Sequence, residues 1–301
     1  MGGIMAASSS TVDLSRLPAP TIVDQLDLDT IVAKIVADLQ TRLPAFNAIV
    51  ESDPAMKVVE ACAYREQLLR QTFQDAALQL LVAYATGANL DQLAAVFGIS
   101  RLVVVPADLT SNTAPVYETD DSLRQRVTLA PEAYSVAGPE LAYVAHAKSA
   151  SGDVADASAV SPAPGEVLVS VLSATGDGSA SADLVAAVNA IVASPTIRPL
   201  GDHVTTASAN IVHYDLTAAL TTFSGPDVTI VLAAARAALD AYLATNRLLG
   251  RNHRIAGIIA ALDVAGVENV TLASPAADIL CDDTQAANAA TITITHAGYA
   301  E

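Results

Sequence analysis

One cluster of neighbouring side chains could act on a substrate, Tyr64-Arg65-Glu66 in the stretch ESDPAMKVVEACAYREQLLR (residues 51–70). A phenol, a guanidinium and a carboxylate together could bind a substrate and transfer a proton. The stretch has a helical pattern, however, and consecutive helical residues point about 100° apart. The three groups therefore cannot converge on one ligand. Glu66 instead has Arg70 four residues further on, an ion pair typical of a helix surface.

The segment TGDGSASADL (175–184) is a second candidate, because glycine-rich turns between a strand and a helix can bind nucleotide phosphates. It supplies Gly176 and Gly178, and Asp202 lies at about the spacing of a ribose-binding acid, but Ser181 replaces the third glycine. The preceding residues predict adjacent strands rather than a strand–helix–strand unit. We interpret the segment as a polar turn and keep an enzyme that uses the Gly176–Gly178 loop as an alternative.

The remaining polar residues form no known catalytic or metal-binding motif. The chain has neither a G-x-S-x-G elbow nor a phosphate-binding P-loop. Its five histidines have no partner histidine two to four residues away, and no C-x-x-C or H-E-x-x-H context: His146, His203, His213, His253 and His296. The adjacent carboxylates Asp120-Asp121 and Asp282-Asp283 suit a helix start and a solvated turn. We expect surface or capped histidines, no metal, no cofactor and no catalytic residue.

The charge balance argues against nucleic acid as a partner. The 301 residues include 32 acidic and 15 basic side chains, a formal net charge of −17. A phosphate backbone would be repelled unless a local basic patch attracted it. The densest basic cluster is RLLGRNHR, where Arg247, Arg251 and Arg254 are predicted to contact an acidic partner.

Cysteine usage and the lack of targeting signals indicate the compartment of synthesis. Cys62 and Cys281 are far apart in sequence, so a disulfide framework is not supported and a reducing cytoplasm fits. Cys62 is expected to be a small buried residue on a helix. Residues 1–16 lack a secretory signal, and no apolar run approaches the roughly 18 residues of a membrane span. We therefore expect a soluble chain, made inside the cell, without membrane insertion.

The longest predicted helix carries more apolar surface than its own chain can cover. Asp53 caps it, Pro54 suits its first position, and the pattern continues from Ala55 to about Ala85, where Gly87 supplies the stop. Apolar residues follow two stripes, which predicts packing on more than one side. An intermolecular bundle satisfies this requirement, and packing against a first helix over 28–43 is the intramolecular alternative. The predicted partner-interface residues are Val58, Cys62, Tyr64, Leu68, Leu69, Phe73, Leu80 and Val82.

The full pattern predicts an α+β fold, with an N-terminal long-helix, bundle-forming region followed by two small mixed units. A flexible arm is expected over residues 1–20, a helical core-bundle domain over 21–105, a middle α+β domain over 106–209 and a C-terminal α+β domain over 210–301. In the mixed units, strands are predicted over 154–160, 167–172, 203–209, 211–220, 266–273 and 290–297, and helices over 182–193, 227–245 and 255–265.

Several segments, in this order, resemble one protein family. They are LPAPTIVDQLDLDTI, ESDPAMKVVEACAYREQLLRQ, AYATGANLDQLAAVFGISR, DDSLRQRV, AGPELAYVAHAKSAS, SPAPGEVLVSVLS, RPLGDHV and GVENVTL, from Leu17 to about Leu272. Together they are similar to the baseplate J-like family of contractile phage tails. The sequence departs from the family at Phe73-Gln74, where a small polar pair ending in Asn is expected.

The resemblance implies a structural subunit of a baseplate wedge, not an enzyme. Two copies would join one copy of a second wedge protein, of the tail protein I type, through a bundle of N-terminal helices. Six such wedges would surround the central hub and spike, with the C-terminal mixed units linking copies into a ring. A sheath-initiating wedge protein would dock on this ring, which couples host contact to sheath contraction. The protein would assemble in the bacterial host cytoplasm and reside in the virion. A tail-like bacteriocin or a type VI secretion baseplate is the alternative particle.

Overall fold

A computed structural model describes residues 14, 17–47, 50, 52–107, 110, 112–135, 137–225 and 227–300. Most of the predicted arm, residues 1–13 and 15–16, lies outside the described residues. The chain has helices and small mixed sheets, which confirms the α+β fold class. It divides into two compact units, one ending at Ser100 and the other beginning at Arg101.

The N-terminal unit consists of three helices: α1 (Leu28–Arg42), α2 (Pro54–Leu78) and α3 (Gly87–Ala95). The Asp53 carboxylate accepts a hydrogen bond from Ala55 N, as expected for an N-cap followed by proline. The predicted end of this helix near Ala85 is wrong, because α2 stops at Leu78. Gly87 begins α3 with a φ of 53°, so it does not terminate α2.

The side chain of Gln79 explains the early end of α2. Gln79 is the C-cap residue of α2, and its Oε1 accepts hydrogen bonds from Thr86 N at 2.9 Å and from Asn89 Nδ2 at 3.3 Å. Its Nε2 donates to the carbonyl oxygen of Tyr84. These bonds fold residues 79–86 into a compact turn. The side chain of Gln79 thus provides the acceptor for donors at the start of α3, and this pairing is possible only because the chain turns after α2.

The second unit begins with short elements. β1 (Val103–Val105) pairs antiparallel with β2 (Val116–Tyr117), and α4 (Asp120–Leu129) and α5 (Glu140–Lys148) follow. Thr119 caps α4 by accepting from Ser122 N, and the acidic pair Asp120-Asp121 lies in its first turn. That position favours the helix dipole, in agreement with the interpretation of this pair as helix-capping chemistry.

The first mixed sheet has the order β3-β4-β5. β3 (Val154–Val160) is antiparallel to β4 (Glu166–Ser173), and β4 continues through α6 (Ala182–Val192) into β5 (His203–Ser208), which is parallel to β4. The expectation that no strand–helix–strand unit surrounds the glycine loop is therefore wrong. Apolar residues of α5, α6 and the strands form the core, including Tyr143, Val169, Val171, Val188 and Val192.

The second mixed sheet has the order β7-β6-β8. β6 (Asn210–Thr222) lies in the centre, antiparallel to β7 (Val267–Ser274) and parallel to β8 (Gln285–Tyr299). The helices α7 (Val228–Asn246) and α8 (Ile255–Leu262) cover one face. Their buried side chains meet those of β6 in a second core: Leu216, Ala218, Leu220, Val231, Ala235, Leu239, Ile258 and Leu262.

By length and composition alone, α7 is apolar enough to cross a membrane, so the expectation that no apolar run approaches the length of a membrane span is wrong. In the fold, Val231, Ala235 and Leu239 on one face of α7 are buried in the second core. On another flank Arg236 pairs with Asp240. The apolar character of α7 is therefore used, on that face, for packing against the sheet.

Candidate functional site

Both apolar stripes of α2 are exposed. Among their residues, Val58 is 64%, Leu69 59% and Phe73 65% accessible to solvent. Tyr64 and Leu68 are exposed on the second stripe. Cys62 is exposed as well, so the expectation that it is buried is wrong. A concentration of large apolar side chains on one helix therefore lies open to solvent.

The first helix covers a third face of α2 and leaves both stripes open. Val59 and Ala63 are the buried residues of α2, and Ile31 is the buried residue of α1. In the intramolecular alternative α1 would cover the stripes. In the structure α1 packs on α2 but leaves the stripes exposed. We use the term α2 apolar face for Val58, Cys62, Leu69 and Phe73, which lie within about one quarter of the helix circumference.

Two of the predicted interface residues do not lie on the helix. Leu80 and Val82 belong to the turn between α2 and α3, where Leu80 is exposed and Val82 is half-buried. Both residues were predicted to lie at the interface because the helical pattern was extended beyond Leu78, where α2 ends. The turn nevertheless continues the exposed apolar surface at the C-terminal end of α2.

Gln74 holds an extended segment against α2, a role that sequence reasoning missed. Its Oε1 accepts from Ile22 N at 2.8 Å and from Val23 N at 3.1 Å, and its Nε2 donates to Pro20 O at 2.7 Å. Arg70 Nη1 donates to Asp24 O. Gln74 thus holds the backbone of this segment by specific hydrogen bonds, and residues 17–26 run along the same face that packs on α1.

The Gly176–Gly178 loop has the position of a nucleotide-binding turn, but the amides of Gly178 and Ser179 already donate hydrogen bonds within the loop. Ser173 N donates to Gly178 O at 2.8 Å, and Gly178 N donates back to Thr175 O. Ser179 N donates to the Asp177 carboxylate, which lowers the pKa of that group. The side chain of Ser181 caps α6. A phosphate would find these donors occupied and an acid beside them, so the geometry favours a polar turn.

Arg247, the C-cap residue of α7, contacts this loop. Its Nη2 donates to the carbonyl oxygen of Gly176 at 2.8 Å and to that of Thr175 at 3.4 Å. Arg251 Nε donates to Asn246 Oδ1, and Arg254 is exposed at the N-cap of α8. The structure therefore gives Arg247 an intramolecular role, while the guanidinium groups of Arg251 and Arg254 face solvent. Contact with an acidic partner remains a prediction for these residues.

Replacement of Gly178 by Ala should destabilise the chain more than replacement of Gly176. Gly178 has a φ of 108°, and an added Cβ would lie 2.7 Å from Leu172 Cδ1. Gly176 has a φ of 60° and nothing within 4 Å of an added Cβ. We expect losses in unfolding free energy of about 2 kcal/mol for Gly178→Ala and about 1 kcal/mol for Gly176→Ala. Urea denaturation measures both, and equal losses would contradict the packing role of Gly178.

His253 is a buried core residue, contrary to the expected surface or capped position. Its Nδ1 accepts from Tyr214 Oη at 2.8 Å, and its Nε2 donates to Asn246 O at 3.2 Å, which fixes a neutral tautomer. Burial lowers the pKa of the imidazole. Among the described residues no three His, Cys, Asp or Glu side chains are grouped to hold a metal ion.

Comparison with known proteins supports the resemblance along nearly the whole chain. Family models match three consecutive regions: the Baseplate J-like N-terminal domain (51–108), the Baseplate J-like central domain (135–208) and the Baseplate J-like protein C-terminal domain (214–295). The chain is 41% identical over 284 residues to baseplate protein J of Escherichia phage P2, covering 91% of this chain and 94% of that protein. The chain therefore belongs to the Baseplate J-like family.

Proposed function

We infer that the chain is a structural subunit of a phage baseplate and that the α2 apolar face joins it to other subunits in a helical bundle. The observation that carries this proposal is the exposure of Val58, Leu69 and Phe73 on a helix that already packs through a different face, which contains Val59 and Ala63. Exposed apolar side chains in such numbers are stabilised when a neighbouring polypeptide covers them. The similarity to a phage baseplate protein agrees with such a partner.

The occupants of the bundle would be a second copy of the chain and one copy of a second wedge protein of the tail protein I type. The resulting heterotrimer would be one wedge of a contractile tail, and wedges would form a ring around the hub and spike. The sheath-initiating wedge protein would bind that ring, and host contact would trigger contraction through it. Assembly would take place in the host cytoplasm, before the baseplate joins the virion.

The acidic character of the chain is compatible with this role. Its net charge of −17 disfavours close approach of copies except where the contacting surfaces carry little charge. The α2 apolar face offers such a surface, because its four residues are uncharged. Of the charged residues near this face, Glu66 pairs with Arg70 at 2.7 Å, and Arg65 lies beside Val58 and Leu69 at its other border.

The test is co-production of the chain with its wedge partner, followed by size-exclusion chromatography with light scattering. We expect a complex whose mass equals two copies of this chain and one of the partner. The chain alone should dimerise or aggregate, because the α2 apolar face would remain uncovered. A well-folded monomer that does not bind the partner would contradict the proposal.

A further inference from the structure

The strand β8 presents a long, uncharged open edge. It is an edge strand of the second mixed sheet, bonded to β6 on one side, and no other strand in the described part of the chain pairs with its second side. Its sequence, QAANAATITITHAGY, contains no Asp, Glu, Lys, Arg or Pro over 15 residues. Natural edge strands are usually protected from pairing by charge, proline or shortness. Here these protections are missing.

The regular part of this edge is short and rich in β-forming residues. Register shifts leave extra residues at Ala290 and Ala297, so that 291–296, TITITH, pairs without interruption. Bulges at both ends confine any further pairing to this segment. Alternating threonine and isoleucine give the segment a high preference for extended structure. We call residues 291–296 the β8 edge segment.

The register identifies the backbone groups that face away from β6. Ala300 N donates to Thr222 O, so Thr222 directs its backbone groups toward β8, as do Leu220 and Ala218, two and four residues before it. Ile294 and His296 lie opposite Ala218 and Leu220. In a parallel pair, a residue opposite such a position directs its own N–H and C=O away from the partner strand. The open edge therefore offers both backbone groups of Ile294 and His296, and the N–H of Ile292. Arg236 Nη1 donates to Ile292 O at 3.5 Å from this same side, and pairing at Ile292 would replace this bond.

The flank of α7 above the edge is electrically neutral. Arg236 Nε donates to both carboxylate oxygens of Asp240 at 2.9 Å, and both side chains are about half exposed. The β8 edge segment itself carries no charged residue. In a chain with a net charge of −17, this neutrality allows a second copy to approach.

We propose that the β8 edge segments of two copies pair antiparallel across a two-fold axis, so that two three-stranded sheets become one six-stranded sheet. A register centred on Ile294 places the outward residues opposite one another: Ile294 faces its own copy, and Ile292 faces His296. It also keeps isoleucines on the helix side and threonines on the open face. Arg236 of each copy can then pair with Asp240 of the other. This contact deepens the proposed function, because it specifies how copies link through their C-terminal regions.

Disulfide trapping tests the register. In a Cys62→Ser chain, Thr293→Cys with Thr295→Cys places each new thiol opposite its counterpart in the second copy, within disulfide range. The matched control is Thr271→Cys with Ala273→Cys on β7, which has the same spacing, exposure and sheet face at the other edge. With oxidised glutathione, we expect dimers to form on the order of tenfold faster for the β8 pair. Equal rates for the two pairs would overturn the proposal.

A proline substitution tests the hydrogen bonds separately. Ile294 N faces outward, so Ile294→Pro removes a donor from the open edge without removing one from the β6 ladder. Ile294→Ala causes a similar loss of core packing and keeps the donor. Two bonds across the axis depend on this donor, so we expect the dimer dissociation constant of the proline variant to be roughly 30-fold above that of the alanine variant. Sedimentation velocity provides the constants, and equal values would contradict β8 pairing.

The two interfaces can be distinguished in one chain. Leu69→Asp with Phe73→Asp removes the α2 contact and leaves the β8 edge segment unchanged. Cysteine trapping at β8 that persists in this background supports the β8 contact independently of the bundle. If trapping fails while the unmodified chain still binds its wedge partner, the β8 proposal is wrong and the proposed function stands. Trapping to a different polypeptide alone would also overturn pairing between copies.

Discussion

Two aspartates on the α2 apolar face should abolish assembly and leave the isolated chain folded. Leu69→Asp and Phe73→Asp replace exposed side chains, so the unfolding free energy of the chain should change by less than about 1 kcal/mol. In a bundle the same positions would be buried. Loss of their apolar burial and desolvation of two carboxylates together should cost at least about 5 kcal/mol, a dissociation constant raised by more than about a thousandfold.

The control must add negative charge to the same helix outside the α2 apolar face. Gln71→Asp adds one charge, and so matches Leu69→Asp or Phe73→Asp alone, at an exposed position more than a quarter-turn from Leu69 and Phe73. Pull-down and light scattering with the wedge partner should show binding for Gln71→Asp and none for the double variant. Circular dichroism should show identical folding for both. Binding by the double variant would contradict the proposal that the α2 apolar face is part of the interface.

Periodicity identified the apolar stripes of α2 but could not tell which face the chain itself covers. The sequence offers apolar residues around much of the helix, and the buried face proved to contain Val59 and Ala63 beside the polar Gln74. A hydrophobic pattern cannot identify Gln74, because this residue stabilises the buried face through three hydrogen bonds to backbone groups about fifty residues away. Long-range bonds of this kind decide burial and leave no local signal.

The predicted ends of helices and strands are wrong where distant contacts override local preference. The apolar run after Leu78 is helical by composition, yet Gln79 bonds to Thr86 and Asn89 and turns the chain. β8 begins at Gln285, five residues before the predicted start at Ala290. Residues 285–289 have little intrinsic strand preference, and pairing with β6 from Asn210 onward recruits them.

Chain direction within a sheet was the other feature that the sequence concealed. The strands on either side of the glycine loop were predicted within one or two residues, but their parallel pairing through α6 was not. The strand–helix–strand topology thus favours the nucleotide alternative, whereas the bonded amides of Gly178 and Ser179 argue against it. Gly178→Val cannot test that alternative cleanly. The new side chain would clash with Leu172, so a loss of nucleotide binding could result from misfolding of the loop.

The second large effect is expected from the buried ion pair of Glu118 and Arg126, which are 5% and 6% accessible. One oxygen of the Glu118 carboxylate accepts from Arg126 Nη1 and from Leu102 N, and the other accepts from Ser122 Oγ at 2.9 Å. Glu118→Ala leaves the Arg126 charge buried without its carboxylate. We expect a loss of about 3–5 kcal/mol in unfolding free energy, measured by urea denaturation of the purified chain.

A matched exposed pair shows what the same chemistry contributes in water. Asp38 and Arg42 form an i,i+4 pair at 3.0 Å with side chains 63% and 75% exposed. Asp38→Ala should change stability by no more than about 0.5 kcal/mol. The double variant Glu118→Leu with Arg126→Leu should recover much of the single-variant loss, because no unpaired charge then remains buried. Equal, small losses for Glu118→Ala and Asp38→Ala would mean that water reaches the Arg126 charge and that the buried pair does not hold β2 to α4.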